Sequence, residues 1–178
     1  MWSATILAGL PGEGPWPEQF THGDALTHSE GLVIRFEPPG GSEWVGNFQP
    51  GISSVSEVLV HPDRLHAIVI ARGQAYVVSV GSRQLVSTFG GDITAVLRVP
   101  GDSTIIFALS GVRFEALGPD GILWKTSRIS WDGFQNLRFA AGALVGEAWS
   151  AIEQEWYPFR VDLANGNHGC EMPVPAPS

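Results

Sequence analysis

Apolar and polar residues alternate in short runs along most of the chain, and turn residues separate the runs. Between Val55 and Gly91 the runs VSEVLV, LHAIVIA, QAYVVSV and QLVSTF are separated by HPDR, by Arg72-Gly73 and by GSR. Runs of about six residues with a period of two, joined by two to four turn residues, predict antiparallel strands in a meander. Because no stretch repeats its apolar residues with a helical period, we expect little helix.

This order of strands and turns recurs along the chain. It returns 38 residues later, from Ile93, as ITAVLRV, TIIFAL, VRFEAL and ILWKTS. It returns 41 residues after that, from Phe134, as FQNLRF, ALVGEAWS and WYPFRVDL with a short tail. A four-stranded meander with two apolar faces can bury both faces only by stacking against further copies of itself. A repeat length near 40 residues with four strands is that of a β-propeller blade.

The first 50 residues fit the repeat less well. GLVIRF and SEWVGNF match the last two strands of a unit, and WSATILAG is a candidate for one of the first two. The stretch between them, PGEGPWPEQFTHGDALTHSEG, contains three prolines and no clean alternation, which indicates a loop. Residues 1–8 are also a candidate for an extra strand of the last unit, whose own fourth strand is short.

We therefore predict a single all-β domain over residues 1–178, built from antiparallel four-stranded units in propeller-like order. The four units cover approximately residues 1–50, 54–91, 93–130 and 134–173, and the first is irregular. A β-sandwich or a rolled sheet is the alternative fold.

Two resemblances accompany this pattern. The segment HPDRLHAIVIARGQAYVVSVGSRQLVSTFGG resembles a WD-type propeller repeat, although the Gly-His and Trp-Asp signatures are absent from their expected places and Trp131-Asp132 lies between units. The whole chain resembles a group of short uncharacterised bacterial proteins through HGDALTHSEGLVIRFEPPGGSEWVGNFQPG, RISWDGF and GEAWSAIEQEWYPFRVDLANG. Both resemblances imply a fold, and neither implies an activity, a substrate or a cofactor.

Charge and composition narrow the possible partners. The chain carries 18 acidic and 10 basic residues, for a net charge of −8. We expect no nucleic-acid partner, because binding phosphates requires a basic surface, whereas an acidic surface attracts a basic protein. The single cysteine, Cys170, excludes an internal disulfide and favours a reducing compartment. With no signal-peptide pattern and no long apolar run, we expect no membrane association and a cytoplasmic protein.

The polar stretch THGDALTHSEG contains four candidate metal ligands close together: His22, Asp24, His28 and Glu30. Because even-numbered positions of an extended segment share a face, all four side chains could point the same way. The spacing matches no standard zinc motif and no cysteine pair accompanies it, so we predict a polar loop, with no metal and no cofactor. His61 and His66 flank the turn in HPDRLH, and we expect both at the surface.

Seven tryptophans are many for a chain of this length. Exposed tryptophan beside a carboxylate forms surfaces that bind sugars or cations. Two pairs qualify. Trp131 is followed by Asp132, and Glu147 lies two residues before Trp149, which puts both on one face of a strand. The structural alternative is that these rings fill the space between sheets.

The sequence contains no strong catalytic motif. It lacks the Gly-x-Ser-x-Gly elbow of serine hydrolases and the Gly-x4-Gly-Lys-Ser/Thr phosphate loop, and its carboxylates single out no glycosidase pair. We therefore predict a non-catalytic interaction module, a monomer or homodimer, that binds a protein partner. A basic partner fits the charge, as in an immunity or antitoxin-like role. The alternative is a binder or hydrolase of a sugar or other small ligand that uses the tryptophan–carboxylate pairs or the histidine-containing stretch.

Overall fold

The structure is a computed structural model, and it describes residues 1–14, 16–23 and 29–172. Within these residues the chain forms sixteen β-strands and no helix. The strands make four separate sheets of four strands each, rather than the two sheets of a sandwich or one rolled sheet. The predicted all-β class and the four four-stranded units are therefore confirmed. No helix in the described part of the chain is long and apolar enough to cross a membrane.

The chain divides into two compact units, Met1–Ile93 and Thr94–Ser178. Each unit has its own cluster of buried hydrophobic residues. The expectation of a single domain over the whole chain stays a prediction.

The first sheet departs from the repeat. Its strands are β1 (Ser3–Ile6), β2 (Glu18–Phe20), β3 (Leu32–Glu37) and β4 (Trp44–Phe48). β3 and β4 are the last two strands of this sheet along the chain, as predicted, but they form its central pair, so β4 is not at an edge. β1 lies antiparallel to β3 on one edge, and β2 lies parallel to β4 on the other. The suggestion that residues 1–8 add a strand to the last sheet is wrong, because β1 pairs with β3 in the first sheet.

The second sheet is a regular antiparallel meander. Its strands are β5 (Glu57–Val60), β6 (His66–Ala71), β7 (Gln74–Ser79) and β8 (Gln84–Gly90). The turn between β6 and β7 consists of Arg72 and Gly73, whose φ angles are 44° and 89°. Two positive φ values in a two-residue turn match the right-handed twist of the strands that the turn connects.

The hydrophobic core of the first unit joins one face of the first sheet to one face of the second. Phe36 stacks on Trp44 with ring centroids 4.4 Å apart, and Phe48 meets the edge of Tyr76 at 5.4 Å. All four rings are buried. Burial of these large aromatic side chains stabilises the irregular first sheet against the second.

The third and fourth sheets are also antiparallel meanders. The third comprises β9 (Ile93–Arg98), β10 (Ile105–Leu109), β11 (Arg113–Gly118) and β12 (Gly121–Lys125). The fourth comprises β13 (Phe134–Ala140), β14 (Ala143–Ser150), β15 (Glu155–Asp162) and β16 (His168–Cys170).

The core of the second unit lies between facing sides of its two sheets. The ring of Phe114 lies 4.3 Å from that of Phe134 and 5.5 Å from that of Phe159. On β14, Leu144 and Ala148 belong to this core. Since side chains alternate along a strand, the odd-numbered residues of β14 point to the opposite face of the sheet. That face carries the candidate site.

Candidate functional site

Glu147 and Trp149 lie on the face of β14 that points away from the core. Trp156 on β15 pairs directly with Trp149, and the two rings are 5.2 Å apart with their planes tilted by 59°. Glu147 lies between Gln135 on β13 and Pro158 on β15. This face therefore carries a tryptophan pair and, two residues before Trp149 on the same strand, the carboxylate of Glu147.

A β-bulge holds the carboxylate of Glu147 in position. The register of β13 and β14 shifts between Gln135 and Arg138, and Asn136 within the bulge has a positive φ of 54°. Glu147 Oε2 accepts hydrogen bonds from Gln135 Nε2 at 2.9 Å and from Asn136 Nδ2 at 2.6 Å. Two amide donors on one oxygen orient the group and leave the other oxygen for further partners.

A buried hydroxyl fixes the turn that precedes β13. Ser130 is fully buried, and its Oγ donates to the Gly133 carbonyl at 2.6 Å and accepts from the Trp149 amide at 3.0 Å. The amide of Trp131 donates to the Trp149 carbonyl at 2.9 Å. These bonds fasten Trp131 and Asp132 beside the end of β14, so the two sequence-predicted pairs lie next to each other.

Trp131 already has a cation on one face. The guanidinium carbon of Arg128 lies 5.2 Å from the centroid of the Trp131 ring, which is cation–π distance. The ring is nevertheless 42% exposed, and Asp132 beside it is exposed as well. Trp131 is thus a surface residue and does not fill the space between sheets.

The turn between β14 and β15 extends this surface with a further carboxylate. Glu153 in this turn is exposed, and Trp156 is 37% exposed. Glu155 pairs with Ser150 and alternates with Trp156 along β15, so its side chain points to the opposite face of the sheet. On that face, local burial, followed by the negative charges of Glu155 and Glu153, raises the pKa of the Tyr157 hydroxyl above its ordinary value. We define the tryptophan–carboxylate surface by these residues: Trp131, Asp132, Glu147, Trp149, Glu153 and Trp156.

The described residues of the histidine-containing stretch near the N-terminus do not form one site. The amide of His22 donates to Gln49 Oε1 at 3.1 Å, and the carboxylate of Glu30 accepts from the Leu10 amide at 2.9 Å. Asp24 and His28 lie outside the described residues. The two described members therefore fasten loop backbone in different places, and among the described residues neither belongs to a cluster of metal-ligating side chains.

The turn between β5 and β6 contains a cluster that the sequence did not single out. The expectation that His61 is a surface residue is wrong, because it is only 7% exposed. Asp63 Oδ2 lies 2.6 Å from His66 Nδ1 and 3.0 Å from His61 Nδ1. The His-Pro-Asp-x-x-His spacing carried the signal, since an aspartate early in a turn folds back on the following amides.

Hydrogen bonds decide the ionisation of Asp63. Its Oδ1 accepts from the amides of Leu65 at 2.8 Å and His66 at 3.1 Å. Burial raises the pKa of this carboxyl, but the hydrogen bonds from the His66 side chain and the two amides, with the charge of His61, outweigh it. The net result is a pKa well below the ordinary aspartate value, because each donor stabilises the charged form.

Comparison with known proteins does not assign the chain to a family. No protein-family model matches the chain, and no curated protein is significantly similar to it. The function is therefore argued from the geometry of the described residues.

Proposed function

We propose that the protein is a non-catalytic binding module that holds a basic segment of a partner protein on its tryptophan–carboxylate surface. The contact between Arg128 and Trp131, at 5.2 Å, is the observation that supports this most directly. It shows a guanidinium stacked on one face of the Trp131 ring, and an arginine of the partner would make the same interaction with the part of the ring that remains exposed.

Exposed aromatic area supports the same proposal. Trp131 and Trp156 remain 42% and 37% exposed, and Ile152 in the adjoining turn is 57% exposed. Tryptophan and arginine are enriched among the residues that dominate the binding energy of protein interfaces, and tryptophan buries a large area at low cost in conformational entropy. A partner that covers these rings would remove from water the apolar surface that they now expose.

The distribution of charge favours a basic partner at the tryptophan end of the face. Asp132, next to Trp131, and Glu153, in the turn before Trp156, are both exposed. Two guanidiniums lie farther along the same face, because Val145 pairs with Arg138 on one side and Arg160 on the other. A basic segment would therefore seat over the rings and acids, and would be repelled from the Val145 end.

The bonding of Glu147 suits a fixed acceptor for a partner's cation. Oε2 of Glu147 accepts from the amide groups of Gln135 and Asn136, which can only donate to it. These two bonds orient the carboxylate and leave Oε1 to accept from a cationic side chain of the partner.

Peptide binding tests the proposal. Short synthetic peptides of equal length, rich in Arg and Lys, neutral, or acidic, are titrated into the protein by fluorescence anisotropy at low and high salt. We expect the basic peptides to bind and their affinity to fall with salt. Trp131→Ala should weaken binding by about tenfold or more, as expected of an interface hot spot. Trp16→Ala, at a tryptophan that is 96% exposed in the other unit, is the matched control.

The carboxylates give a second arm. Asp132→Asn with Glu153→Gln should weaken binding and flatten its salt dependence, whereas Glu13→Gln, at an exposed glutamate of the first unit, should do neither. Equal binding of basic and acidic peptides, or binding that is indifferent to Trp131→Ala, would overturn the proposal. Retention of a glycan on an array, lost in Trp131→Ala, would instead favour the sugar-binding alternative.

A further inference from the structure

The turn between β5 and β6 collects three side chains with metal-binding atoms. One ligand atom from each of His61, Asp63 and His66 lies within 4.8 Å of the other two. The side chains of Asp63 and His66 are 20% and 27% exposed, which leaves a path from solvent. Two imidazoles and a carboxylate are a ligand set that divalent transition metals, and zinc in particular, accept.

The carboxylate is oriented toward the two histidines before any ion arrives. Amides of Leu65 and His66 occupy Asp63 Oδ1, so Oδ2 is the oxygen that faces the imidazoles. Hydrogen bonds of this kind, made to the far side of a ligand, fix its direction and are typical of metal sites. They also mean that a metal would not have to break the turn to recruit the carboxylate.

The Nδ1 atom of His61 has conflicting neighbours. It lies 3.2 Å from the amide nitrogen of Asp63, which is a donor, and 3.0 Å from Asp63 Oδ2, which is an acceptor. If Nδ1 is unprotonated, it accepts from the Asp63 amide but also lies against the carboxylate oxygen, which is a second acceptor, and if it is protonated, its hydrogen lies against the amide hydrogen. A cation shared between Nδ1 and Oδ2 removes the first of these conflicts.

Two of the three ligand distances fit a small ion after modest movement. Ligands about 2.1 Å from a metal lie about 3.0 Å apart at right angles and about 3.4 Å apart in a tetrahedron. The two observed nitrogen–oxygen distances are 2.6 and 3.0 Å, so each pair would open by less than about 1 Å to admit the ion. The ligand nitrogens of the two histidines lie within 4.8 Å of each other and would settle at a distance in the same range.

We propose that His61, Asp63 and His66 bind a divalent transition-metal ion, with zinc as the preferred occupant and water completing its coordination. The ion would join the two ends of the turn and stabilise the folded state, because it binds the folded chain in preference to the unfolded one. This site lies in the first unit and is independent of the binding function proposed for the second.

The test uses the full chain, purified without a histidine tag and treated with chelator. Zn²⁺ is titrated by calorimetry, and Co²⁺ is added separately because its visible absorption reports the number and kind of ligands. We expect one ion per chain and a higher melting temperature with Zn²⁺. Loss of a ligand should cost affinity by at least about tenfold, since even the outer partners of metal ligands cost that much.

Two variants and a control separate a metal site from a hydrogen-bonded turn. Asp63→Asn retains an oxygen for the Leu65 and His66 amides and removes the anionic ligand, and His66→Gln removes an imidazole. Both should lose Zn²⁺ binding while circular dichroism shows an intact sheet. His168→Gln, at an exposed histidine that contacts Ser127, should bind as the parent protein does. Absence of stoichiometric binding in the parent, or binding that survives both variants, would overturn the proposal.

Discussion

The turn between β5 and β6 and the tryptophan–carboxylate surface place carboxylates in opposite situations. In the turn, Asp63 is enclosed by two imidazoles and two amides, and both of its oxygens have partners within 3.1 Å. On the surface, Asp132 is exposed beside the partly exposed Trp131. One region uses its charge within the fold, and the other presents its charge to solvent.

This difference indicates what each region contributes. A carboxylate with several short hydrogen bonds in a partly buried turn stabilises the folded state, and losing it leaves its donors without a partner. An exposed carboxylate adds little to stability, because water and salt screen it, and its main influence is on the approach of charged partners. Substitutions in the two regions should therefore separate stability from binding.

The largest effect on stability should come from Asp63→Ala. The change leaves the Leu65 and His66 amides and both histidine contacts without their acceptor, so we expect a loss of about 2–3 kcal/mol in the free energy of unfolding. Urea denaturation followed by fluorescence measures it. Asp132→Ala on the exposed surface is the matched substitution and should change the same quantity by less than about 0.5 kcal/mol. Equal losses in the two variants would contradict the contrast between the regions.

A smaller effect should appear on acidification of the unmodified protein. The pKa of Asp63 is lower in the folded state than its unfolded value of about 3.9, so the folded state holds this proton less readily. Stability from Asp63 is therefore fully present above about pH 4 and is lost as pH falls toward the lowered folded-state pKa.

Asp63→Asn isolates this contribution from the other carboxyl groups. The difference in unfolding free energy between the parent protein and Asp63→Asn should be constant at neutral pH and should shrink between about pH 4 and pH 2. Denaturant titrations at a series of pH values measure it. A difference that stays the same across that range would show that the carboxylate charge does not stabilise the turn.

The fold could be predicted from the sequence in the regions where apolar and polar residues alternate and the turns are short. The three meanders were predictable because period-two patterns and turn residues such as Arg72-Gly73 specify local pairing. The first sheet was not predictable in detail, because β2 pairs in parallel with β4 through residues far apart in sequence. Long-range parallel pairing leaves no local pattern, and residues 7–17 show no alternation that would reveal it.

The candidate site was predictable in part for the same reason. The common face of Glu147 and Trp149 follows from the strand period alone. The bulge at Asn136, which supplies a hydrogen bond to Glu147, depends on a register shift that no residue type signals. The burial of His61 could not be predicted, because residues beside a turn are usually exposed. In this turn the His61 ring instead packs beside the Asp63 carboxylate, with Nδ1 3.0 Å from Oδ2.

A smaller effect on stability than that of Asp63→Ala, joined to an effect on binding, should come from Ser130→Ala. The buried hydroxyl bonds the Gly133 carbonyl and the Trp149 amide, so its loss should cost about 1 kcal/mol in unfolding free energy. It should also loosen the turn that carries Trp131 and weaken binding of basic peptides, although Ser130 itself is fully buried. Ser130→Cys, which keeps a small polar side chain, should recover part of the binding.

Trp131→Ala should instead reduce binding with almost no change in unfolding free energy, because its ring is exposed. Peptide affinity that is unchanged in Ser130→Ala would mean that the position of Trp131 does not depend on this hydroxyl.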